Sequence, residues 1–360
     1  MPFSELIGQD RALGALRSAL ARGALHHAYL FSGPEGVGKR TAARLLAQAC
    51  NCEGAPAGGR RSGGPAASAP PPGDSCGACG PCRKIARGVH PDVIELAQER
   101  VMAKAGRWEP RGGRAPSKDI VVDQVRDLVD HRLAMKRFEG RRRFVLIDPA
   151  DGMNVQAQNA LLKTLEEPPA DATLVLVASS PDVLLPTLRS RCARISFAPL
   201  PDEVLATRLA AEGRSPEEIR LVVALAGGSL GRALELDAKA LAAREEAVTS
   251  AASLDPGDAS TWIAFAREQG EDREAARETC ELLTVWLRDV LAVRAAGEMA
   301  PLALGDLAER TVAAAAQLDP SEALRRIEHA RDAAAALKQN AAPALALERM
   351  LIGWFHGELR

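Results

Sequence analysis

A glycine-rich segment near residue 35 has the composition of a phosphate-binding loop. Gly33 and Gly38 are separated by four residues, and Lys39 follows directly. Gly36 lies within the same loop. The backbone N–H groups of such a loop can surround phosphate oxygens, and the lysine can reach the β and γ oxygens of a nucleotide. The segment predicts a phosphate-binding loop and leaves open whether ATP or ADP occupies it.

The residue after the loop lysine departs from the usual pattern. That position normally carries Ser or Thr, whose hydroxyl ligates Mg²⁺, but here it is Arg40. Thr41 comes one residue later, and one residue along a helix turns a side chain by about 100°. Thr41 is therefore a poor substitute, and we expect Mg²⁺ binding to be impaired.

A second part of the nucleotide site is expected after an apolar run. Residues 144–147 are typical of a buried strand, and Asp148 follows, where a carboxylate could hold Mg²⁺ through water. Hydrolysing enzymes of this kind place a glutamate next, which acts as the general base. The residue here is Pro149, and Asp151 is only a weak substitute. The pattern predicts a site that does not hydrolyse ATP.

Most of the seven cysteines lie close together in the sequence. Cys76, Cys79 and Cys82 follow one another at intervals of three residues. Cys52 is the natural fourth member, and Cys50 is its competitor for that place. Four thiolates favour a closed, tetrahedral structural Zn²⁺ site. The spacing therefore predicts a zinc module, at about residues 50–90.

Composition limits the class of protein. The chain has 360 residues, with 46 basic and 47 acidic side chains, and this balance argues against coating nucleic acid through bulk charge. Hydrophobic residues make up 47% but aromatic residues only 3%, which favours a helical core of Leu, Ala and Val. Neither a signal peptide nor an apolar run of about 18 residues is evident, so we expect a cytoplasmic protein without membrane contact.

The pattern of apolar residues indicates two kinds of architecture. Strand-like runs alternate with helical segments up to about residue 200, which predicts an α/β fold with a mostly parallel sheet; beyond residue 201 only helices are expected. The predicted strands are 28–31, 144–147 and 173–177, and the predicted helices include the segment with Leu13, Leu16 and Leu20, then 41–49 and 159–167. The low-complexity insert 53–73 is expected to be a disordered loop.

Two basic segments admit two interpretations. Residues 100–118 are expected to be an irregular loop, either solvated or in contact with DNA phosphates. The same alternatives hold for a cluster between residues 132 and 143. Its members are Arg132, Lys136, Arg137, Arg141, Arg142 and Arg143.

Several longer motifs resemble the AAA+ subunits of bacterial clamp loaders. These motifs are residues 27–39, the run 159–169 (Asn-Ala-Leu-Leu-Lys-Thr-Leu-Glu-Glu-Pro-Pro), the Ser-Arg-Cys motif within 188–192, and the segment 340–348. The resemblance implies an α/β AAA+ P-loop domain, with a parallel sheet, flanking helices and a zinc-knuckle insert, over residues 1–198. It also implies a small helical lid at 199–242 and an all-α C-terminal collar domain at 243–360.

Within that family, three departures resemble the delta-prime (δ′) subunits of DNA polymerase III rather than the γ/τ motor subunits. They are Arg40, Pro149, and Gly231 at the place of the motor's lid arginine, with Arg232 displaced by one residue. The resemblance implies a stator in a hetero-pentameric ring with γ/τ and δ subunits, acting with the sliding clamp and touching primer–template DNA through phosphates.

The same resemblance implies a role for Arg191 as an arginine finger, offered in trans to a neighbour's ATP site. Polymerase activity would belong to the assembled DNA polymerase III, and no ATPase activity of this chain is expected. An active γ/τ-type ATPase is the alternative. A zinc-stabilised ring loader outside replication is a third reading.

Overall fold

The structure, a computed structural model, describes residues 2–54, 73–297, 299–339 and 341–356, without the side chains of 238–240. The chain divides into two compact units, Met1–Val204 with Gly228–Gly231, and Leu205–Gly227 with Arg232–Arg360. The predicted division into 1–198, 199–242 and 243–360 stays a prediction. Nearly all of the predicted insert 53–73, and residue 340 of the C-terminal motif, lie outside the described residues.

A parallel sheet of five strands forms the centre of the first unit. Its strands are β1 (Ala28–Ser32), β2 (Val93–Leu96), β3 (Arg143–Ile147), β4 (Ala172–Ala178) and β5 (Ala193–Ser196). They are arranged in the order β2-β3-β4-β1-β5, and every adjacent pair is parallel. The predicted α/β class is confirmed.

The three central strands are those that the sequence predicted. β1, β3 and β4 are buried at every position, as expected of strands covered on both faces. The two edge strands were not predicted. β2 contains a charged residue, Glu95, and β5 alternates between half-buried and exposed positions, so neither presents a continuous apolar run.

Among the described residues, seven α-helices accompany the sheet. They are α1 (Asp10–Ala21), α2 (Lys39–Asn51), α3 (Gly80–Ala86), α4 (Glu99–Lys104), α5 (Val122–Arg126), α6 (Val155–Glu166) and α7 (Pro186–Arg189). The predicted start of α6 at residue 159 was four residues late, because the side chain of Asn154 caps the helix by accepting from the N–H of Ala157 at 2.8 Å.

From residue 202 onward, the described part of the chain contains helices and no strand, as predicted for the residues beyond 201. The helices are α8 (Asp202–Ala211), α9 (Pro216–Ala226), α10 (Leu230–Glu235), α11 (Ala238–Ala252), α12 (Ala259–Gln269), α13 (Arg273–Ala296), α14 (Ala308–Gln317), α15 (Pro320–Lys338) and α16 (Pro343–His356). The long helix α13 contributes Trp286 to a core shared with Trp354 of α16. No described helix is long and apolar enough to cross a membrane.

The basic segment 100–118 is more ordered than predicted. Its first residues belong to α4, and the rest folds over the carboxylate of Glu99, which is fully buried. That carboxylate accepts two hydrogen bonds from Arg114, at 2.6 and 2.7 Å, one from the N–H of Ser117 at 2.7 Å, and one from the indole of Trp108 at 3.1 Å. The expectation of an irregular loop throughout was therefore wrong, since a buried acceptor organises the segment.

Replacing Glu99 by alanine should loosen residues 105–118. The substitution leaves the N–H groups of Ser117 and Trp108 without their acceptor, so we expect a loss of about 2–3 kcal/mol of unfolding free energy. Trypsin should then cleave after Arg107 or Arg114 under native conditions. Glu109→Ala, at an exposed position, is the control; equal cleavage of the two variants would contradict this account.

The same carboxylate should make stability depend on pH. Burial alone would raise the pKa of Glu99, but the hydrogen bonds from Arg114, Ser117 and Trp108 hold that pKa below its usual range. Its stabilising contribution is therefore complete above the unfolded-state pKa of about 4.3 and is lost as the pH falls through the folded-state value. Denaturant titrations below that pH should show a smaller difference between wild type and Glu99→Ala.

Candidate nucleotide site and metal centre

The phosphate-binding loop lies between β1 and α2, as predicted. Gly33 has φ +148°, and a Cβ atom there would lie 2.2 Å from the carbonyl oxygen of Phe197. Gly38 precedes α2 with φ +97°, in the left-handed region that disfavours side chains. Only glycine fits these two positions, and the loop places its N–H groups at the start of a helix of 13 residues.

The amine of Lys39 lies within the loop. It donates to the carbonyl oxygens of Gly33, at 2.6 Å, and Pro34, and to the hydroxyl of Ser179 at 3.1 Å. Ser179 follows β4, so the amine is at the carboxyl edge of the sheet. Burial lowers the pKa of Lys39, and the carboxylate of Asp148 opposes that shift.

The guanidinium of Arg40 contacts two carboxylates from neighbouring strands. Its Nη2 lies 3.0 Å from Glu95 Oε2 on β2, and its Nε lies 3.4 Å from Oδ2 of Asp148, which follows β3. Arg44, one turn along α2, holds Glu95 through two further hydrogen bonds of 2.6 and 2.7 Å. Sequence reasoning missed this cluster, because Glu95 lies on a strand that was not predicted.

These contacts decide whether Mg²⁺ fits the site. The carboxylate that would hold the metal, Asp148, already faces a guanidinium, and Thr41 is half-buried one position further along α2. Burial raises the pKa of Asp148, although Arg40 and Lys39 oppose the shift. A cationic side chain with no oxygen donor stands where the hydroxyl ligand is needed, so the residues present do not fit Mg²⁺.

One carboxylate oxygen of Asp151 holds the backbone after β4. Its Oδ2 accepts from the N–H groups of Ser179, at 3.0 Å, and Ser180, at 2.6 Å. Gly231 also approaches the loop, since its N–H donates to the carbonyl oxygen of Gly36 at 3.0 Å. A Cβ at Gly231 would lie 3.0 Å from the Cα of Gly36, so the glycine permits this close approach.

Four sulfur atoms meet at the end of α2. The Sγ atoms of Cys52, Cys76, Cys79 and Cys82 all lie within 4.8 Å of one another, and Cys50 is not among them. The N–H of Cys76 donates to Cys52 Sγ at 3.3 Å, and hydrogen bonds from Cys82 and this N–H lower the pKa of Cys52 to about 4. Burial raises the pKa of Cys50. This donor set fits a closed, four-thiolate Zn²⁺ site, with Cys52 as the fourth ligand.

The family model described as DNA polymerase III, delta subunit, matches residues 8–201, more than half of the chain. The chain belongs to this family. The resemblance inferred from the sequence motifs is thereby confirmed, and the matched residues include the phosphate-binding loop and the parallel sheet.

Individual relatives include two kinds of DNA polymerase III subunit. The chain is 39% identical over 221 residues to subunit delta′ of Pseudomonas aeruginosa, which covers 60% of this chain and 57% of that protein. It is 32% identical over 324 residues to subunit tau of Escherichia coli, which covers 84% of this chain and 45% of that protein. The chain thus spans about half the length of the curated relatives it matches. A gamma subunit-related structure from Thermotoga maritima aligns with 96% of this chain and 98% of its own, with a TM-score of 0.38 and 16% identity.

Arg191 lies just after α7, with its side chain about one-third exposed. Its Nη2 is 2.6 Å from Glu166 Oε1, and its Nη1 donates to the carbonyl oxygen of Thr187 at 2.7 Å. Arg189, two residues earlier, pairs with Asp182. The predicted finger therefore has a carboxylate partner in its own unit, and its role in trans stays a prediction.

The predicted basic cluster consists largely of side chains that bind within the chain. Arg142 donates to the hydroxyl of Thr173 at 2.6 Å, and the buried Arg143 donates to backbone carbonyls. Arg132 and Arg137 form ion pairs with aspartates. These four arginines therefore have structural partners, and DNA contact by the cluster stays a prediction.

Zinc content offers a direct test of the cysteine assignment. Cys52→Ser should lose the bound zinc, because a hydroxyl replaces one of four thiolates, and should lower the melting temperature. Cys50→Ser is the matched control and should retain about one zinc per chain. Metal content is measured by emission spectroscopy on protein purified without chelator. Zinc loss in the Cys50 variant alone would show that the ligand assignment is wrong.

Proposed function

We propose that this chain is a δ′-type subunit of a clamp loader, a stator that does not hydrolyse ATP. The observation that carries the proposal is the pairing of Arg40 with Asp148 and Glu95. Phosphoryl transfer in P-loop enzymes needs a metal to neutralise developing charge and a residue that orients or activates water. Arg40 supports loss of the first requirement and Pro149 supports loss of the second.

The second part of the proposal concerns Arg191, which would enter the ATP site of a neighbouring γ/τ subunit. Its partner Glu166 is about half exposed, and exposed ion pairs contribute only about 0–1 kcal/mol. Exchanging Glu166 for the phosphates of a neighbour's ATP therefore costs little. An arginine supplied in this way can accelerate hydrolysis by about 10³–10⁵.

The remaining assignments follow from the family resemblance. The partners are γ/τ and δ subunits in a hetero-pentameric ring, the sliding clamp, and primer–template DNA held through phosphates, in the cytoplasm. The lid at 199–242 and the collar at 243–360 would give this chain its place in the ring. Zinc is structural, and DNA synthesis belongs to the assembled polymerase.

An active γ/τ-type ATPase is the competing function. It is favoured by the intact loop with Gly33, Gly38 and Lys39, and by the similarity to subunit tau over 84% of this chain. The two candidates differ in whether hydrolysis occurs in this chain or in its neighbour.

The finger is tested in the ring assembled from this chain and its γ/τ and δ partners. Arg191→Ala should abolish hydrolysis at the adjoining ATP site, since the expected loss is about 10³-fold or more, and should slow clamp loading. Pre-steady-state phosphate release, counted per ring, measures this loss. Arg189→Ala is the matched control and should leave release unchanged.

A further variant separates the trans role from a structural one. Glu166→Ala removes the partner of Arg191 within the chain and should leave hydrolysis by the ring intact. If Glu166→Ala reproduces the loss seen with Arg191→Ala, the arginine acts by holding its own unit together and the finger is wrong.

A further inference from the structure

We propose that the phosphate-binding loop of this chain binds ATP or ADP without a divalent metal ion, with the guanidinium of Arg40 in the place of the metal. The inference deepens the proposed function and rests on its claim that the site has lost metal-dependent hydrolysis. It assigns a ligand to a site that the stator role by itself does not require to be filled.

The carboxylates that a metal would neutralise, Glu95 and Asp148, already face arginine side chains. Glu95 receives two hydrogen bonds from Arg44 and one from Arg40, and Asp148 faces the Nε of Arg40 at 3.4 Å. These hydrogen bonds hold the pKa of Glu95 below its usual range, although burial alone would raise it. Both carboxylates therefore have cationic partners within the chain, which reduces their repulsion of an incoming polyphosphate.

Arg40 and Lys39 retain hydrogen-bond donors that could bind phosphate. The side chain of Arg40 is 50% exposed, and its Nη1 makes no hydrogen bond with the described residues. The amine of Lys39 donates to two carbonyl groups of the loop, bonds that a phosphate oxygen can replace. A guanidinium presents planar, paired N–H groups that match phosphate oxygens. The loop, the lysine and the arginine thus offer donors to phosphate from one side of the site.

The position of Arg40 also opposes the binding of Mg²⁺. Mg²⁺ requires near-octahedral oxygen ligands at about 2.0–2.1 Å, and its approach to Asp148 would bring a divalent cation against the guanidinium of Arg40. Moving Arg40 away would also break its contact with Glu95. Substituting Arg40 by threonine removes this repulsion and supplies the missing hydroxyl, so that variant should regain a preference for the metal.

The test is calorimetric titration of the full-length, zinc-loaded chain with ATP and with ADP, with and without added Mg²⁺. Chelators are avoided because they would compete for the zinc at Cys52, and residual Mg²⁺ is measured directly. The wild type should bind most tightly without Mg²⁺ and more weakly once Mg²⁺ is added, because Mg²⁺ sequesters the free nucleotide and its complex brings a divalent cation toward Arg40. Arg40→Thr should bind weakly without Mg²⁺ and at least about tenfold more tightly with it.

Two further variants test whether the nucleotide binds in the loop and whether the charge of Arg40 is needed. Lys39→Ala should abolish binding and thereby locate it in the loop, and Arg40→Gln, without charge or hydroxyl, should weaken binding by about tenfold or more under both conditions. Thermal melting checks that each variant is folded.

A wild type that needs Mg²⁺ to bind, or binds under neither condition, overturns the inference, and so does a folded Arg40→Thr that is indifferent to Mg²⁺. Absence of binding would leave the stator proposal standing, since a loop that binds no nucleotide cannot hydrolyse it and Arg191 acts at the neighbour's ATP site. Loss of the finger would leave nucleotide binding standing.

Discussion

The ion pairs of Arg40 link the elements of the nucleotide site. Its guanidinium connects the first turn of α2 to Glu95 on β2 and to Asp148 after β3, so one side chain joins the phosphate-binding loop to two adjacent strands. In a metal-dependent site, a hydroxyl and a bound cation occupy this region. Here the cation is the guanidinium of Arg40, and the residues around it hold its two carboxylate partners and the nearby backbone in place. Arg44 holds the other side of Glu95, and Asp151 binds the backbone after β4.

Ion pairs in this chain differ in the solvent exposure of their partners, and that difference separates structural pairs from exchangeable ones. The carboxylates of Glu95 and Glu99 are buried or nearly so, so removing their partners leaves a charge in a poorly solvated place. Glu166, which pairs with Arg191, is half exposed. Water can therefore solvate its carboxylate when Arg191 moves away. An arginine with such a partner can be offered to another subunit without destabilising its own.

The sequence predicted the features that local patterns encode. Continuous apolar runs marked β1, β3 and β4, the glycine spacing marked the loop, and cysteine spacing marked the four-sulfur cluster. Edge strands escaped prediction because β2 carries Glu95 and β5 is half exposed. The partners of Arg40 and Glu99 could not be predicted, since tertiary packing brings Glu95 to Arg40 and Arg114 to Glu99 across 55 and 15 residues.

The central claim is that a cationic side chain has replaced the metal and ended hydrolysis in this chain. Steady-state ATP turnover by the purified chain with Mg²⁺, compared with a Lys39→Ala variant prepared in parallel, tests it most directly. The account predicts phosphate release no faster than from the variant, because Arg40 opposes the metal and Pro149 cannot act as a base. Turnover that Lys39→Ala abolishes would contradict the account and favour a γ/τ-type ATPase.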